Sequence, residues 1–237
     1  GTPTVLSADQ LAEVMSAVKK NFDISKIREY TVEAGRSDTI TEKKLEIIRD
    51  FGATRISVNP QTMNDSVLEA IGRRHTAKDV VSAFETARRL GFGNINMDVI
   101  AGLPTDTPES FAQTIETLCG IDPESITIHT LTVKRSSALF SEEERRIDGR
   151  TGEMVGSGQK RLLGAGYLPY YLYRQKNTVE NLENVGFAKA GYECLYNIYI
   201  MEEAQTILAA GAGGSTKLVN TETGKIERLF NYKFPYE

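Results

Sequence analysis

Hydrophobic positions along the chain switch repeatedly between a 3.6-residue period and short β-rich runs, the pattern of βα units around a parallel sheet. Ser7 caps a helix expected from Ala8 to Lys20, with Leu11, Val14, Met15 and Val18 as its apolar face. A strand is expected from Ile27 to Ala34. Thr41 opens a second helix through Leu45, Ile47 and Ile48, Gly52 stops it, and a strand follows from Arg55 to Asn59. A short helix at 63–72 and a longer one from Thr76 to Leu90 precede a strand from Ile95 to Ile100. Thr107-Pro108-Glu109 places a cap, a proline and an acid where a helix begins; that helix ends near Gly120, before a fourth strand from Ser125 to Val133.

Beyond this the texture changes. Ser141 to Gly166 is charged and interrupted by glycine, and 167–232 is rich in Tyr and Phe. Antiparallel strands are expected at 193–201, 206–210, 215–220 and 225–231, with Thr223-Gly224 turning the last pair. The expected architecture is α/β: a partial barrel in residues 1–140 and a small α+β C-terminal domain in 141–237.

Period 2 sorts the strands into faces. Ser57, Asn59 and Gln61 alternate with Ile56 and Val58; Asn94, Asn96 and Asp98 alternate with Ile95, Met97 and Val99; Glu29, Thr31 and Glu33 oppose Tyr30 and Val32. A closed eight-stranded barrel fills its interior with bulky aliphatics. A polar, carboxylate-bearing inner set instead predicts an open or wide barrel around a polar ligand, the alternative being satisfied polar groups on an exposed sheet face. Glu33, Gln61 and Asp98 fall at C-terminal strand ends, where such sheets place their sites.

Composition narrows the classes. The 237 residues are 40% hydrophobic and 25% charged, values of an ordinary globular protein. A formal charge of −4 offers no basic footprint for nucleic acid and no polybasic membrane patch. No apolar run is long enough for a membrane span, and Gly1-Thr2-Pro3-Thr4 does not read as a signal peptide. The two cysteines, Cys119 and Cys194, exclude a disulfide framework and fit a reducing cytoplasm.

Gly1-Thr2-Pro3-Thr4, Val32-Glu33-Ala34, Arg55-Ile56-Ser57-Val58-Asn59-Pro60-Gln61, Ile71-Gly72-Arg73-Arg74-His75 and Asn96-Met97-Asp98-Val99-Ile100-Ala101-Gly102-Leu103-Pro104 stand in the order and spacing of one family. They resemble the oxygen-independent coproporphyrinogen III oxidases (coproporphyrinogen dehydrogenases) of the radical S-adenosylmethionine superfamily. Tyr170 to Asn177 and Asn181 to Gly186 are similar to the Gram-positive branch.

The resemblance implies a partial six-stranded barrel with a small C-terminal domain. It also implies a Cys-x3-Cys-x2-Cys loop holding a 4Fe–4S cluster, which this sequence lacks, so the chain is expected to be a piece without the first two barrel strands and inactive by itself. The parent enzyme would generate a 5′-deoxyadenosyl radical, abstract hydrogen from a propionate and decarboxylate coproporphyrinogen III oxidatively to protoporphyrinogen IX, taking electrons from a flavodoxin or ferredoxin. The strand at 27–34 would become an edge and a surface for dimerisation.

By the same resemblance, Gly1, Thr2 and Pro3 would lie against the methionine part of S-adenosylmethionine. Glu33 would accept from its amino group, Arg73 would pair with a carboxylate, Gln61 and Asp98 would bind the ribose or a second cofactor molecule, and Ile100 would pack on adenine. Thr132 stands at the fourth strand's end. Gly211-Ala212-Gly213 is either a segment closing over the cofactor or a plain turn. Tyr170, Tyr171 and Tyr173, with Arg135, Arg174 and Lys176 for propionates, either line a tetrapyrrole pocket or form core and rim. His75 and His129 are axial haem ligands or structural histidines. Tyr196-Asn197 replaces the His-Asn pair of many relatives. The competing functions are a haem-handling chaperone of the same superfamily and a radical enzyme with another substrate.

Overall fold

The computed structural model describes residues 2–132, 149–176 and 178–234. Two compact units divide between Glu193 and Cys194. In the first, β1 (Thr31–Gly35), β2 (Arg55–Val58), β3 (Ile95–Ala101) and β4 (Ser125–Thr130) are parallel neighbours. Two further strands, β5 (Leu168–Tyr173) and β6 (Asn184–Ala188), complete a sheet of order β1-β2-β3-β4-β6-β5, with β6 antiparallel to both its neighbours. The edges are β1, as expected, and β5.

The helices α1 (Ala8–Asn21), α2 (Glu42–Asp50), α3 (Asp65–Ala70), α4 (Ala77–Arg89) and α5 (Pro108–Ile121) occupy the predicted places, and α6 (Arg150–Gly164) follows them. Their caps form as the sequence dictates: Ser7 and Gln10 make a reciprocal capping box, as do Thr76 and Asp79, and the Thr107 side chain accepts from Ser110 N. One apolar cluster joins Leu11, Ile48, Val80, Phe111, Ile115 and Leu162 of the helices to Val32, Ile56, Met97, Ile126, Ile128 and Phe187 of the strands. Every second strand residue therefore faces the helices. Gly158 lets α6 approach the sheet, since a Cβ there would lie 3.0 Å from Phe111 and 3.1 Å from Ile128.

Several expectations need correction. The first strand begins at Thr31, not Ile27, and the fourth ends at Thr130, not Val133. The compact units do not divide at 140/141, because β5 and β6 hydrogen-bond into the main sheet. In the second unit, 195–201 is not a strand but the helix α7 (Leu195–Met201). Its aromatic and β-branched run suits either state over so short a length, and Lys217 Nζ caps the last turn by donating to Ile200 O at 2.9 Å. Residues 206–210 form no strand, only the bridge of Ile207 to Lys217. The hairpin is as expected: β7 (Ser215–Val219) pairs with β8 (Ile226–Phe230), and Gly224 has φ of 68° in the connecting loop.

Candidate functional site

The face of the sheet away from the helices is polar and hydrogen-bonded from strand to strand. Ser57 Oγ donates to Glu33 Oε2 at 2.5 Å. Arg55, only 2% exposed, donates to Ser125 Oγ at 3.1 Å, and Ser125 Oγ donates to Asn96 Oδ1 at 3.0 Å. Asn96 Nδ2 donates to Asp98 Oδ1 at 2.7 Å. The other Asp98 oxygen, Oδ2, lies 3.6 Å from His129 Nε2, and His129 Nδ1 lies 3.3 Å from the Tyr173 hydroxyl. A continuous polar path thus crosses β2, β3, β4 and β5.

Charge within this path is tuned by its neighbours. Burial alone would raise the Asp98 carboxyl; His129, with help from Asn96 and Thr127, outweighs it, and the carboxyl sits below the usual carboxylate range. Burial pushes the Tyr173 hydroxyl up, and the Asp98 charge adds to this. The Tyr171 hydroxyl is also raised, mainly by burial.

The tyrosines owe their places to two irregularities. A break in register between Pro169 and Tyr171 puts the Tyr170 and Tyr171 ring centroids 4.8 Å apart. Gly186, opposite Tyr171 on β6, leaves room for the ring: a Cβ there would lie 1.9 Å from Tyr171 Cε1. Tyr171 and Tyr173 are nearly parallel, at 6° and 6.1 Å. Together they form an aromatic platform on the polar face.

A second feature lies where β1 and β2 end. Thr2, Val5, Gly35, Arg36, Asn59, Gln61 and Arg73 line a cavity of 320 Å³. Gln61 reaches it because the chain leaves β2 with φ of 68° at this residue, while its N–H donates to Asp98 O and its carbonyl accepts from Ile100 N. Gly35 is required there, since a Cβ would lie 2.7 Å from Thr2 Cγ2. Burial and the adjacent Arg36 push the Arg73 guanidinium down, with Asp38 opposing. The buried Asn59 Oδ1, beside the cavity, has no hydrogen-bond partner among the described residues.

Of the residues singled out in the sequence, Thr2, Gln61 and Arg73 share this cavity, whereas Glu33 and Asp98 belong to the polar face, with Ile100 two residues on from Asp98. Pro3 begins a short 3-10 turn over 3–5. Thr132 Oγ1 donates to Gln175 Oε1 at 2.8 Å. Arg174 pairs with Glu183, and Lys176 is exposed. Gly211 and Gly213 adopt φ of 98° and 69°, with Ala212 between them, so the segment is a turn within the second unit. Gly1 and Arg135 lie outside the described residues. His75 is fully buried, with Nδ1 3.8 Å from Asp38 Oδ1. The sequence reading missed Arg36 and Arg55; the signal for Arg55 was its place two residues before Ser57, on the same face.

The cysteines do not fit an iron–sulfur cluster. Three converging thiolates are needed and the chain has two cysteines. Burial raises the Cys119 thiol, and no group of three or more His, Cys, Asp or Glu among the described residues could hold a metal. The cavity, by contrast, suits a polar zwitterion: two guanidinium groups and an unsatisfied amide oxygen surround it.

A largely parallel sheet covered on one face by helices, with a polar opposite face and a cavity where β1 and β2 end, defines a partial-barrel binding scaffold. Residues 1–118 match the model of the radical SAM superfamily, and the chain belongs to that superfamily. Its relatives include coproporphyrinogen III oxidase-like proteins and heme chaperones. It is 42% identical over 239 residues to the oxygen-independent coproporphyrinogen-III oxidase-like protein HemZ of Bacillus subtilis, covering 99% of this chain and 48% of that protein. It is 32% identical over 244 residues to the heme chaperone HemW of Bacillus subtilis, covering 100% of this chain and 62% of that protein. The coproporphyrinogen III oxidase HemN of Escherichia coli shares the fold at a TM-score of 0.76 and 19% identity, over 99% of this chain and 53% of that one. The chain spans about half the length of HemZ and HemN. Among the described residues no helix is long and apolar enough to cross a membrane.

Proposed function

We propose that this chain forms the cofactor- and substrate-facing part of a radical S-adenosylmethionine protein that acts on a tetrapyrrole, the oxidative decarboxylation of coproporphyrinogen III being the favoured reaction. The observation that carries this reading is the polar sheet face, linked from Arg55 to Tyr173 by hydrogen bonds and the Asp98–His129 ion-pair contact, with the near-parallel Tyr171 and Tyr173 rings beside it. When bound, S-adenosylmethionine supplies the radical chemistry of the superfamily. The chain's own residues bind and orient. Arg73, with Arg36 and Gln61, would hold the methionine carboxylate; Asn59 Oδ1 and Glu33 would accept from the amino group, and Asp98 would accept from ribose hydroxyls beside Ile100. Tyr171 and Tyr173 would carry the flat macrocycle, with Arg174 and Lys176 toward its propionates. Any cluster thiolates would be supplied from outside these 237 residues.

Calorimetry with S-adenosylmethionine tests this, using the chain and a longer version that carries a Cys-x3-Cys-x2-Cys loop reconstituted anaerobically. The longer protein should bind and cleave the cofactor with dithionite, and the chain as given should hold no iron. Absence of binding by both would reduce the motifs to ancestry. The haem-chaperone reading is supported by the 32% identity to HemW over the whole of this chain and 62% of that protein. Haem ligation by His129 would have to break its contact with Tyr173 or Asp98, and the His75 side chain is 0% exposed. Haem titration of H75Q and H129Q separates the two readings.

A further inference from the structure

Asp98, His129 and Tyr173 form a carboxylate–imidazole–phenol series on three neighbouring regions of the polar face. The Asp98 and His129 side chains remain 19% and 26% exposed, so solvent and ligand reach them. A neutral imidazole with its proton on Nε2, directed at Asp98 Oδ2, leaves Nδ1 as an acceptor, and the Tyr173 hydroxyl then donates to it. An imidazolium carries protons on both nitrogens. Tyr173 can then only accept from Nδ1–H, and its own proton must turn elsewhere. Asp98, already below the usual carboxylate range, stays ionised in both states and compensates the imidazolium charge.

We propose that this series is a proton-coupled recognition device for a carboxylate-bearing ligand: protonation of His129 turns the Tyr173 hydroxyl from a donor to the imidazole into a donor to the ligand. His129 is a positioning residue and Tyr173 the group that touches the ligand. Other titratable groups on or beside this face include Tyr170 and Tyr171 on β5, Glu33 on β1 with Glu29 just before it, and Arg55 on β2. β6 contributes Gly186 there. The net event is uptake of one proton from solvent by His129 Nδ1, while Tyr173 keeps its proton and redirects it. Only an acceptor on the ligand gains, so carboxylates such as propionates are favoured over alcohols or amines. This rests on the tetrapyrrole reading above.

The test is binding of coproporphyrin III, a stable tetracarboxylate, to the full chain by calorimetry in two buffers of different ionisation enthalpy. Wild type should take up a proton when it binds the porphyrin, and its affinity should rise as pH falls. H129Q and Y173F, checked for folding by circular dichroism, should each bind with that uptake and that slope reduced. Binding by wild type with the same proton uptake in H129Q or an unchanged slope in Y173F would overturn the relay alone. No binding by wild type would overturn the tetrapyrrole reading and the relay with it.

Discussion

Ile126 and Thr127 are adjacent on β4 and live in opposite worlds. Ile126 is fully buried against the helices, while Thr127 hydrogen-bonds to Asn96 at 3.4 Å on the polar face. The same alternation runs through Met97 and Asp98, Ile56 and Ser57, and Val32 and Glu33. One face of the sheet drives folding by removing apolar surface from water. The other carries polar groups that must be satisfied by each other or by a ligand, and so can be reassigned to chemistry.

The sharpest way to expose that difference is to truncate both neighbours. Ile126→Ala should cost about 2–5 kcal/mol in urea unfolding, because it opens a cavity in a closed core. Gly186→Ala should cost about 1–3 kcal/mol, since the new methyl collides with the Tyr171 ring, and porphyrin binding should fall with it. Thr127→Ala should cost only about 0.5–1.5 kcal/mol, the range of one hydrogen bond. If Thr127→Ala proves as damaging as Ile126→Ala, the division of labour between the faces is wrong.

Acid titration gives a finer probe of the polar face. The Asp98 carboxyl sits lower in the folded chain than its unfolded value of about 3.9, so its ionised form stabilises the fold. That contribution is fully present above the unfolded value and is lost as pH falls through the lower folded one. D98N should therefore flatten the acid limb of the stability curve; an unchanged limb would mean that Asp98 does not couple to folding. The smallest effect is expected for Arg174→Ala. Its pair with Glu183 is largely exposed, and stability should change by less than about 1 kcal/mol. Porphyrin affinity should nonetheless drop if Arg174 serves a propionate.

The helices and parallel strands were legible because their signals are local. Ser7, Thr41, Thr76 and Thr107 cap where they stand, and period 2 separates Ile95, Met97 and Val99 from Asn96 and Asp98 before any fold is known. The polar face, and the place of Glu33 and Asp98 on it, follow from that spacing alone. Residues 195–201 show the limit: seven apolar-rich residues carry no decisive period, and the run is a helix in the fold, with Lys217 bonding a carbonyl of its last turn.

Local pattern could not assign β5 and β6 to the main sheet, because strand partners are set by hydrogen bonds between distant residues such as Tyr171 and Gly186. Nor could it bring Arg36 beside Arg73, or His129 between Asp98 and Tyr173. The sequence by itself determined the helices between Ala8 and Ile121, which residues alternate across the parallel strands and which family's motifs the chain resembles. Tertiary structure decided which polar groups meet, since a side chain's partners and charge state depend on neighbours that chain order does not name.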